Sequence, residues 1–414
     1  MTTRVDTLII GAGVIGSSLA MHLSEKGMKN IRVIDFDLEG TLSSSELNAG
    51  GVRATWVQPM NILMSKLSIE YFARVAHEVG YRACGYLWLH PHSRWQAVLE
   101  SRQRQLDHGW PVEVWDTAEL QRKIPFIDRT EDLAGALFAP RDGLINPNLL
   151  KNHYREKAKN HGVIFEDRSL LREVSYSNHT GGSQISAKVE KFDSFMSHET
   201  KLHLASTEPV ALPQGSKVEY HARVIVNCAG PWAAHVARIL GYESPSYPLR
   251  RQVSIFDCRD VDLTPYGMIV DSSGVYFHPE AMNGLAGFAT RHEAQGVNFQ
   301  YDGEAFFQEY LWPALYERSS QFERLKHLTG WAGLYEVSPD ECAIVGKVSQ
   351  GDLKYQNGVY EAHSFSGHGV MQSYSAGLAL AEMILNGKSE TLDITSLSGS
   401  RFESNELIME NLII

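Results

Sequence analysis

Cysteine is scarce in this chain: Cys84, Cys228, Cys258 and Cys342 are all it has, and no two share a CxxC or CxxH spacing. That excludes a disulfide-framed scaffold and argues against a thiolate zinc site, so no metal is expected and a reducing cytoplasm is the expected compartment. Long hydrophobic runs are missing too. The triplet Leu8-Ile9-Ile10 meets glycine at once and lacks the basic flank and small-residue cleavage site of a secretion signal. Nothing approaches the roughly 20 apolar residues of a membrane span, so no transmembrane segment is expected. Positive charge is in deficit, with a net charge of -11. Nucleic acid is therefore not an expected partner, because phosphate binding requires clustered Lys and Arg that release counterions.

What is present is an ordinary globular composition, 43% apolar and 21% charged across 414 residues. Single cores stop growing near roughly 250–300 residues, so two domains are expected. The opening reads as half of a doubly wound α/β fold: a strand over 7–10, a helix over 14–25 stopped by Gly27, and a strand over 31–34. Further helices are expected from an N-cap at Ser93 to a stop at Gly109, over 149–162, and over 373–385 closed by Gly387. Residues 177–217, rich in Ser, Thr, His, Lys and Glu, read as an exposed antiparallel ribbon, and 223–226 as a buried parallel strand.

The first chemical motif is Gly11-Ala12-Gly13-Val14-Ile15-Gly16, between that strand and helix. Gly11 allows the tight turn, Gly13 lets the backbone approach a pyrophosphate at the positive helix end, and Gly16 lets helix and strand pack closely. Asp35, with Phe36 beside it, ends the second strand, where a carboxylate can accept from ribose hydroxyls. This predicts a dinucleotide and leaves FAD and NAD open. Ser43-Ser44-Ser45 and Asn48-Ala49-Gly50-Gly51-Val52-Arg53 supply hydroxyl and N–H donors and room for a flat ring, although a surface Ser/Gly loop has the same composition. Ala229, Gly230 and Trp232 follow the strand at 223–226, at the carboxyl edge where open α/β sheets bind ligands; an ordinary strand-to-helix turn reads equally well. Phe365-Ser366-Gly367-His368-Gly369-Val370 opens the last helix, either as a plain glycine-rich cap or as a positive helix end aimed at a ring that gains charge.

Taken in order, these motifs resemble the flavin oxidoreductase family of D-amino acid oxidase, glycine oxidase, monomeric sarcosine oxidase and dimethylglycine dehydrogenase. Asp142-Gly143-Leu144-Ile145-Asn146-Pro147 and Trp331-Ala332-Gly333-Leu334-Tyr335 with Pro339-Asp340 extend the resemblance over nearly the whole chain. Several look closest to the branch called FAD-dependent oxidoreductase domain-containing protein and to the sarcosine and dimethylglycine dehydrogenases. The resemblance implies a Rossmann-like FAD-binding domain built from residues 1–84, 142–247 and 329–414. It implies an antiparallel-sheet substrate domain from 85–141 and 248–328. Leu171 matches a backbone contact to adenine. Gly333 stands where monomeric sarcosine oxidase has its flavin-bonding cysteine, so the FAD is expected to be noncovalent.

The implied chemistry is hydride transfer from the carbon beside a neutral amine to the flavin, giving an imine that water hydrolyses. A small amine or amino acid is the expected substrate, with Arg53 as active-site cation, Tyr276 across the ring face, His368 close to the flavin, and Tyr335 and Trp331 as pocket walls. Trp56 is a weaker candidate. Met371 replaces the substrate-binding lysine of monomeric sarcosine oxidase, and that enzyme's oxygen-assisting lysine has no counterpart between residues 279 and 299. A dehydrogenase is therefore favoured over an oxidase, its electron acceptor unassigned. Two other readings stay open: oxidation of an alcohol such as glycerol 3-phosphate, for which Arg250-Arg251 is the only adjacent pair of arginines in the cover region, and a flavin-containing assembly factor that uses 177–217 or the tail Leu412-Ile413-Ile414 to bind another protein.

Overall fold

Nearly continuous runs of Val, Ile and Leu build a parallel sheet, because its strands are covered on both faces. The computed structural model describes residues 2–179, 182–192, 197–206, 215–290, 292–350, 353, 358–410 and 412. Its strands in chain order are β1 (Thr2–Ile10), β2 (Ile31–Ile34), β3 (Gly51–Val52), β4 (Tyr86–Pro91), β5 (Glu113–Trp115) and β6 (Leu133–Ala139). There follow β7 (Gly143–Leu144), β8 (Ile164–Glu166), β9 (Ser169–His179), β10 (Gly182–Lys191), β11 (Ser216–Asn227) and β12 (Tyr247–Asp257). The last are β13 (Met268–Val270), β14 (Tyr276–Glu280), β15 (Asn283–Phe288), β16 (Lys326–Val337), β17 (Ile344–Lys347) and β18 (Val359–His363).

The first sheet has the order β17-β18-β11-β1-β2-β8, with the β9–β10 hairpin added along β11. β1 pairs in parallel with both β2 and β11, so the first β-α-β unit lies at the sheet centre and its turn opens at the carboxyl edge. The helix Val14–Glu25 crosses the last long helix, Gly369–Asn386, so closely that a Cβ on Gly377 would stand 2.3 Å from the Ser18 hydroxyl.

A second sheet has the order β16-β12-β15-β14-β13-β4-β6-β5, antiparallel except where β13 runs parallel to β4. Strand alternation gives it two apolar faces. Tyr86, Trp88, Val253 and Tyr276 share one core with the first sheet's helices, whereas Leu87, Leu89, Phe256 and Phe277 pack into another core beneath the helices that follow Glu304. The architecture is thus the expected one, a Rossmann-like sheet faced by a largely antiparallel sheet. β16 belongs wholly to the second sheet, and the expected division between 328 and 329 falls inside it.

Three local expectations change. The helix expected from Ser93 begins at Trp95 after a short 3-10 turn, and Ser93 does not cap it. The last helix starts at Gly369 rather than Ser373, and Val370, Met371 and Gln372 of its added first turn are buried. Residues 177–217 are not only ribbon: they hold parts of the hairpin β9–β10, a helix at His198–Ala205 and the start of β11, while 180, 181, 193–196 and 207–214, like Ile413 and Ile414 of the tail, lie outside the described residues. Within that helix Lys201 is buried and pairs with Asp37 at 2.9 Å. Among the described residues no helix is long and apolar enough to cross a membrane, and no cluster of His, Cys, Asp and Glu could hold a metal ion.

Candidate active site

The carboxyl edge of the first sheet and the inner face of the second enclose a cavity of about 570 Å³, within the range of small-molecule and cofactor sites. Its floor is the glycine turn. Gly11 has φ +102°, and a Cβ there would stand 2.2 Å from the Cys228 carbonyl oxygen, so only glycine fits. Ser45 reaches this turn from its own loop: its Oγ accepts from the Val14 N–H at 3.0 Å. Ser44 donates to the Leu334 carbonyl at 2.6 Å and ties the same loop to β16. Asp35 accepts from the Ala12 N–H at 2.6 Å and the Asp37 N–H at 3.0 Å; burial pushes its carboxyl upward and those two bonds partly offset the rise. From behind, Arg155 donates to the carbonyls of Ala12 and Leu38 and to Ser17 Oγ, bracing the turn with one guanidinium.

The roof is the alternating face of the second sheet. Tyr86, Met268, Tyr276, Val253, Arg251 and Tyr335 line it from five strands. Each tyrosine ring is seated against a glycine. A Cβ would approach Tyr86 from Gly51 at 2.9 Å, Tyr276 from Gly287 at 2.3 Å and Tyr335 from Gly367 at 2.3 Å. Burial raises all three phenols above their ordinary value, so they are neutral hydrogen-bonding groups at neutral pH.

Arg53 is 2% exposed, with its guanidinium 3.5 Å from the Trp56 ring centroid and 4.7 Å from that of Trp88. It donates to the Thr55 carbonyl at 2.7 Å and to the Leu412 carbonyl. Desolvation lowers its pKa, and Tyr86, Glu410 and Asp142 act in the opposite direction. Asp142 does not touch it; that carboxyl accepts from Ala54 N–H and Trp110 Nε1 at 2.9 Å each, and burial carries its pKa up to about 7.

His368 is buried beside Trp56, with ring centroids 4.7 Å apart, and neither ring nitrogen finds a partner at bonding geometry. Desolvation first, and then the Arg53 charge, push its pKa down to about 3, with the Ser366 backbone acting weakly the other way. The imidazole is neutral. His363 is the opposite case: Glu361 accepts from it at 3.0 Å and Glu336 lies 3.4 Å away, and the two carboxylates outweigh desolvation to hold its pKa at about 10.

Of the residues expected at the site, Gly11, Gly13, Val14, Ile15, Asp35, Phe36, Ser44, Ser45, Gly51, Arg53, Leu171, Ala229, Gly230, Trp232, Tyr276, Gly333, Tyr335, Gly367, His368, Gly369, Val370 and Met371 all line this one cavity, with Trp56. Gly16, Gly50, Val52 and Trp331 do not. Gly16 is consumed by packing, since a Cβ there would meet the Gly11 carbonyl oxygen at 2.0 Å. Gly50 turns against the Ile145 carbonyl, Val52 is buried in its pairing with Gly143, and the Trp331 indole donates to the Leu47 carbonyl at 2.9 Å. Sequence reasoning missed Arg155, Tyr86 and Asp37, and took Arg251 only together with Arg250 as a basic pair. The first three carry no local motif, but alternation along 247–257 already separates Arg250 from Arg251.

The lining fits FAD on observations independent of any resemblance. A glycine turn leaves no room for a side chain at Gly11, the helix Gly369–Asn386 begins at the cavity with no side-chain cap, and the orphaned His368 nitrogens are buried donors or acceptors awaiting a partner.

Comparison with known proteins gives a consistent picture. A family model described as FAD dependent oxidoreductase matches residues 6–383. The chain is similar to FAD-dependent oxidoreductase domain-containing protein 1 of Xenopus laevis, 28% identical over 99% of this chain and 85% of that one. It is also similar to monomeric sarcosine oxidase of Bacillus sp. (strain B-0618), 23% identical over 100% of both. Among solved structures, L-proline dehydrogenase from P. horikoshii has the same fold, with a TM-score of 0.81, 21% identity and coverage of 99% of this chain and 100% of that one.

Proposed function

The chain belongs to the family of FAD dependent oxidoreductases, and from that premise we propose that it oxidises a small amine or amino acid, working as a dehydrogenase with noncovalently held FAD. Bound FAD supplies the acceptor for a hydride that leaves the carbon next to nitrogen; the resulting imine is hydrolysed by water. The observation that carries the proposal is one cavity in which three buried tyrosines and Arg251 of the roof, with Arg53 from the segment after β3, face the glycine turns.

That roof has a chemical consequence. Fixed positive charge and apolar rings disfavour an ammonium, so a bound amine is held in its neutral form with its lone pair available. Tyr86, Tyr276 and Tyr335 keep their protons and serve as donors or acceptors that orient the substrate and exclude water. Neutral His368 adds a hydrogen-bonding group without a charge. The uncapped N–H groups of Gly369, Val370 and Met371 offer positive helix-end dipoles where negative charge develops. At Gly333 no side chain is available for a covalent flavin link, and no lysine lines the cavity among the described residues, which supports slow reaction with oxygen. None of the four cysteines forms a disulfide, which supports a reducing, cytoplasmic setting.

The test is spectral. The purified protein is expected to be yellow and to release its flavin into the supernatant on acid precipitation. Under anaerobic conditions an N-methyl amino acid, a D-amino acid, proline or glycine bleaches the flavin band, and readmitted air restores it only slowly. Bleaching by glycerol 3-phosphate alone would overturn the amine reading, and rapid reoxidation by air would overturn the dehydrogenase assignment.

A further inference from the structure

Lysine seldom enters a protein interior, because an ammonium taken out of water is costly unless an anion meets it. Lys201, on the helix His198–Ala205 between β10 and β11, is nevertheless 7% exposed. Its ammonium donates to Asp37 at 2.9 Å and to Thr41 Oγ1 at 3.5 Å, and Glu39 stands 3.7 Å away. Asp37 is buried as well, and it accepts from the Thr41 N–H and hydroxyl at 3.0 and 2.7 Å. The pair is closed inside the protein, and the proposed oxidation makes no use of it.

Its position gives it a role. Asp37 lines the cavity two residues beyond Asp35, the carboxylate that follows β2, where a dinucleotide fold holds its ribose. The Asp37 N–H donates to Asp35 Oδ1 at 3.0 Å, and Asp35 Oδ2 accepts from the Ala12 N–H of the glycine turn at 2.6 Å. A continuous run of bonds therefore leads from Lys201 through Asp37 and Asp35 to the turn. The same helix grips the cavity wall a second time: the Ala205 carbonyl accepts from the Trp232 indole at 2.7 Å, and the Trp232 ring meets Phe36 edge-on at 5.5 Å. Both of those rings line the cavity.

Charge points the same way. Burial pushes the Asp35 carboxyl up, and the nearby Asp37 charge adds to the rise. Burial alone would push Asp37 up as well, but the Lys201 ammonium and the Thr41 hydroxyl together pull it below its ordinary value. Without Lys201, Asp37 is an uncompensated buried anion beside a ribose acceptor. Either it takes up a proton or the segment 35–41 opens to water, and both change the surface offered to a nucleotide.

We propose that Lys201 is a positioning residue of the FAD site, acting through Asp37 to hold the segment 35–41 against the adenosine half of the cofactor, and that its helix sets how fast FAD leaves. The inference rests on FAD binding and is independent of which amine is oxidised. Arg53, His368 and the tyrosines of the roof lie outside this run of bonds, so the flavin half is held separately.

The experiment follows release of FAD from the loaded protein, read by flavin fluorescence after dilution. Lys201→Met is expected to speed release about tenfold or more, and Lys201→Arg by less. Lys188→Met, which removes an exposed ion pair with Glu173, leaves the rate unchanged. Adding Asp37→Asn to Lys201→Met removes the stranded charge, and the double variant is expected to hold FAD better than Lys201→Met alone. The two halves of the cofactor separate this role from a general loosening of the fold. ADP and FMN are each titrated as competitors of FAD rebinding. In Lys201→Met the dissociation constant of ADP rises about tenfold or more, and that of FMN stays within about twofold of the wild type. Where Lys201→Met fails to fold, Lys201→Arg and the double variant carry the same comparison. FAD release at the wild-type rate in Lys201→Met, or an equal weakening of ADP and FMN, would overturn the proposal.

Discussion

At the scale of single residues, the site depends on positions where a side chain is forbidden. Gly287 shows this most simply, since it exists to let the Tyr276 phenol lie across β15, 2.3 Å from where a Cβ would be. Gly287→Ala therefore moves the ring, and a displacement of this kind is expected to lower kcat/KM by about 100-fold while FAD stays bound, as steady-state kinetics and the flavin spectrum can check. Gly11→Ala is more severe because the clash is with backbone and φ is +102°. It is expected to lose FAD altogether. His368, neutral above a pKa of about 3, contributes no ionisation to catalysis at ordinary pH. A pH–rate profile from pH 5 to 9 should keep its inflections in His368→Gln, and an inflection that disappears would show that the imidazole titrates during turnover.

At the scale of elements, helices and strands far apart in the chain brace one another through buried polar groups. The helix Pro147–Asn160 carries Arg155 to the back of the glycine turn, where it holds Ala12, Leu38 and Ser17. Arg155→Ala leaves those acceptors unfilled, and the turn's grip on FAD is expected to weaken about tenfold or more, measured by flavin fluorescence on dilution. The C-terminal segment acts similarly. Glu410 is fully buried and accepts from Val57 N–H, Gln58 N–H and Asn61, so it caps the start of the helix Pro59–Arg74. Glu410→Ala strands these donors and is expected to cost about 1–3 kcal/mol in urea unfolding. An unchanged unfolding midpoint would mean that water replaces the carboxylate.

At the scale of the whole molecule, buried histidines set the response to pH. Desolvation holds His22, His90 and His278 at about 4 and His368 at about 3, below the 6.5 of the unfolded chain. Each is neutral in the fold and takes up a proton on unfolding, so its contribution is complete above pH 6.5 and is lost as pH falls toward 4, at about 1.4 kcal/mol per pH unit. Asp142, raised to about 7, opposes this with a single proton between pH 3.8 and 7. His363, raised to about 10, is charged in the fold and loses its contribution as pH climbs from 6.5 to 10. Stability is therefore expected to peak between pH 6.5 and 7. Urea midpoints across pH 4–10 check this, and His363→Gln should flatten the alkaline limb.

Some of this was legible in the residues alone, for a physical reason. A glycine turn between strand and helix is local: Gly11, Gly13 and Asp35 lie within 25 residues, and the backbone geometry they need is written in their own identities. The small-residue stretches at Gly51, Ala229 and Gly367 were legible as turns, yet each alone had an ordinary reading, and only tertiary structure brought them to one cavity. What the sequence could not decide was how charge is satisfied. Arg53 read as the active-site cation, and it does line the cavity, but folding spends its donors on Thr55 and Leu412, the latter 359 positions away. Arg251 read only as half of a basic pair with Arg250, but the strand turns it inward, away from Arg250, and leaves its Nε without a partner. Local backbone preference thus determined the nucleotide turn and the fold class, whereas the electrostatics of the roof were set by long-range packing, because the value of a buried charge depends on which distant groups fold against it.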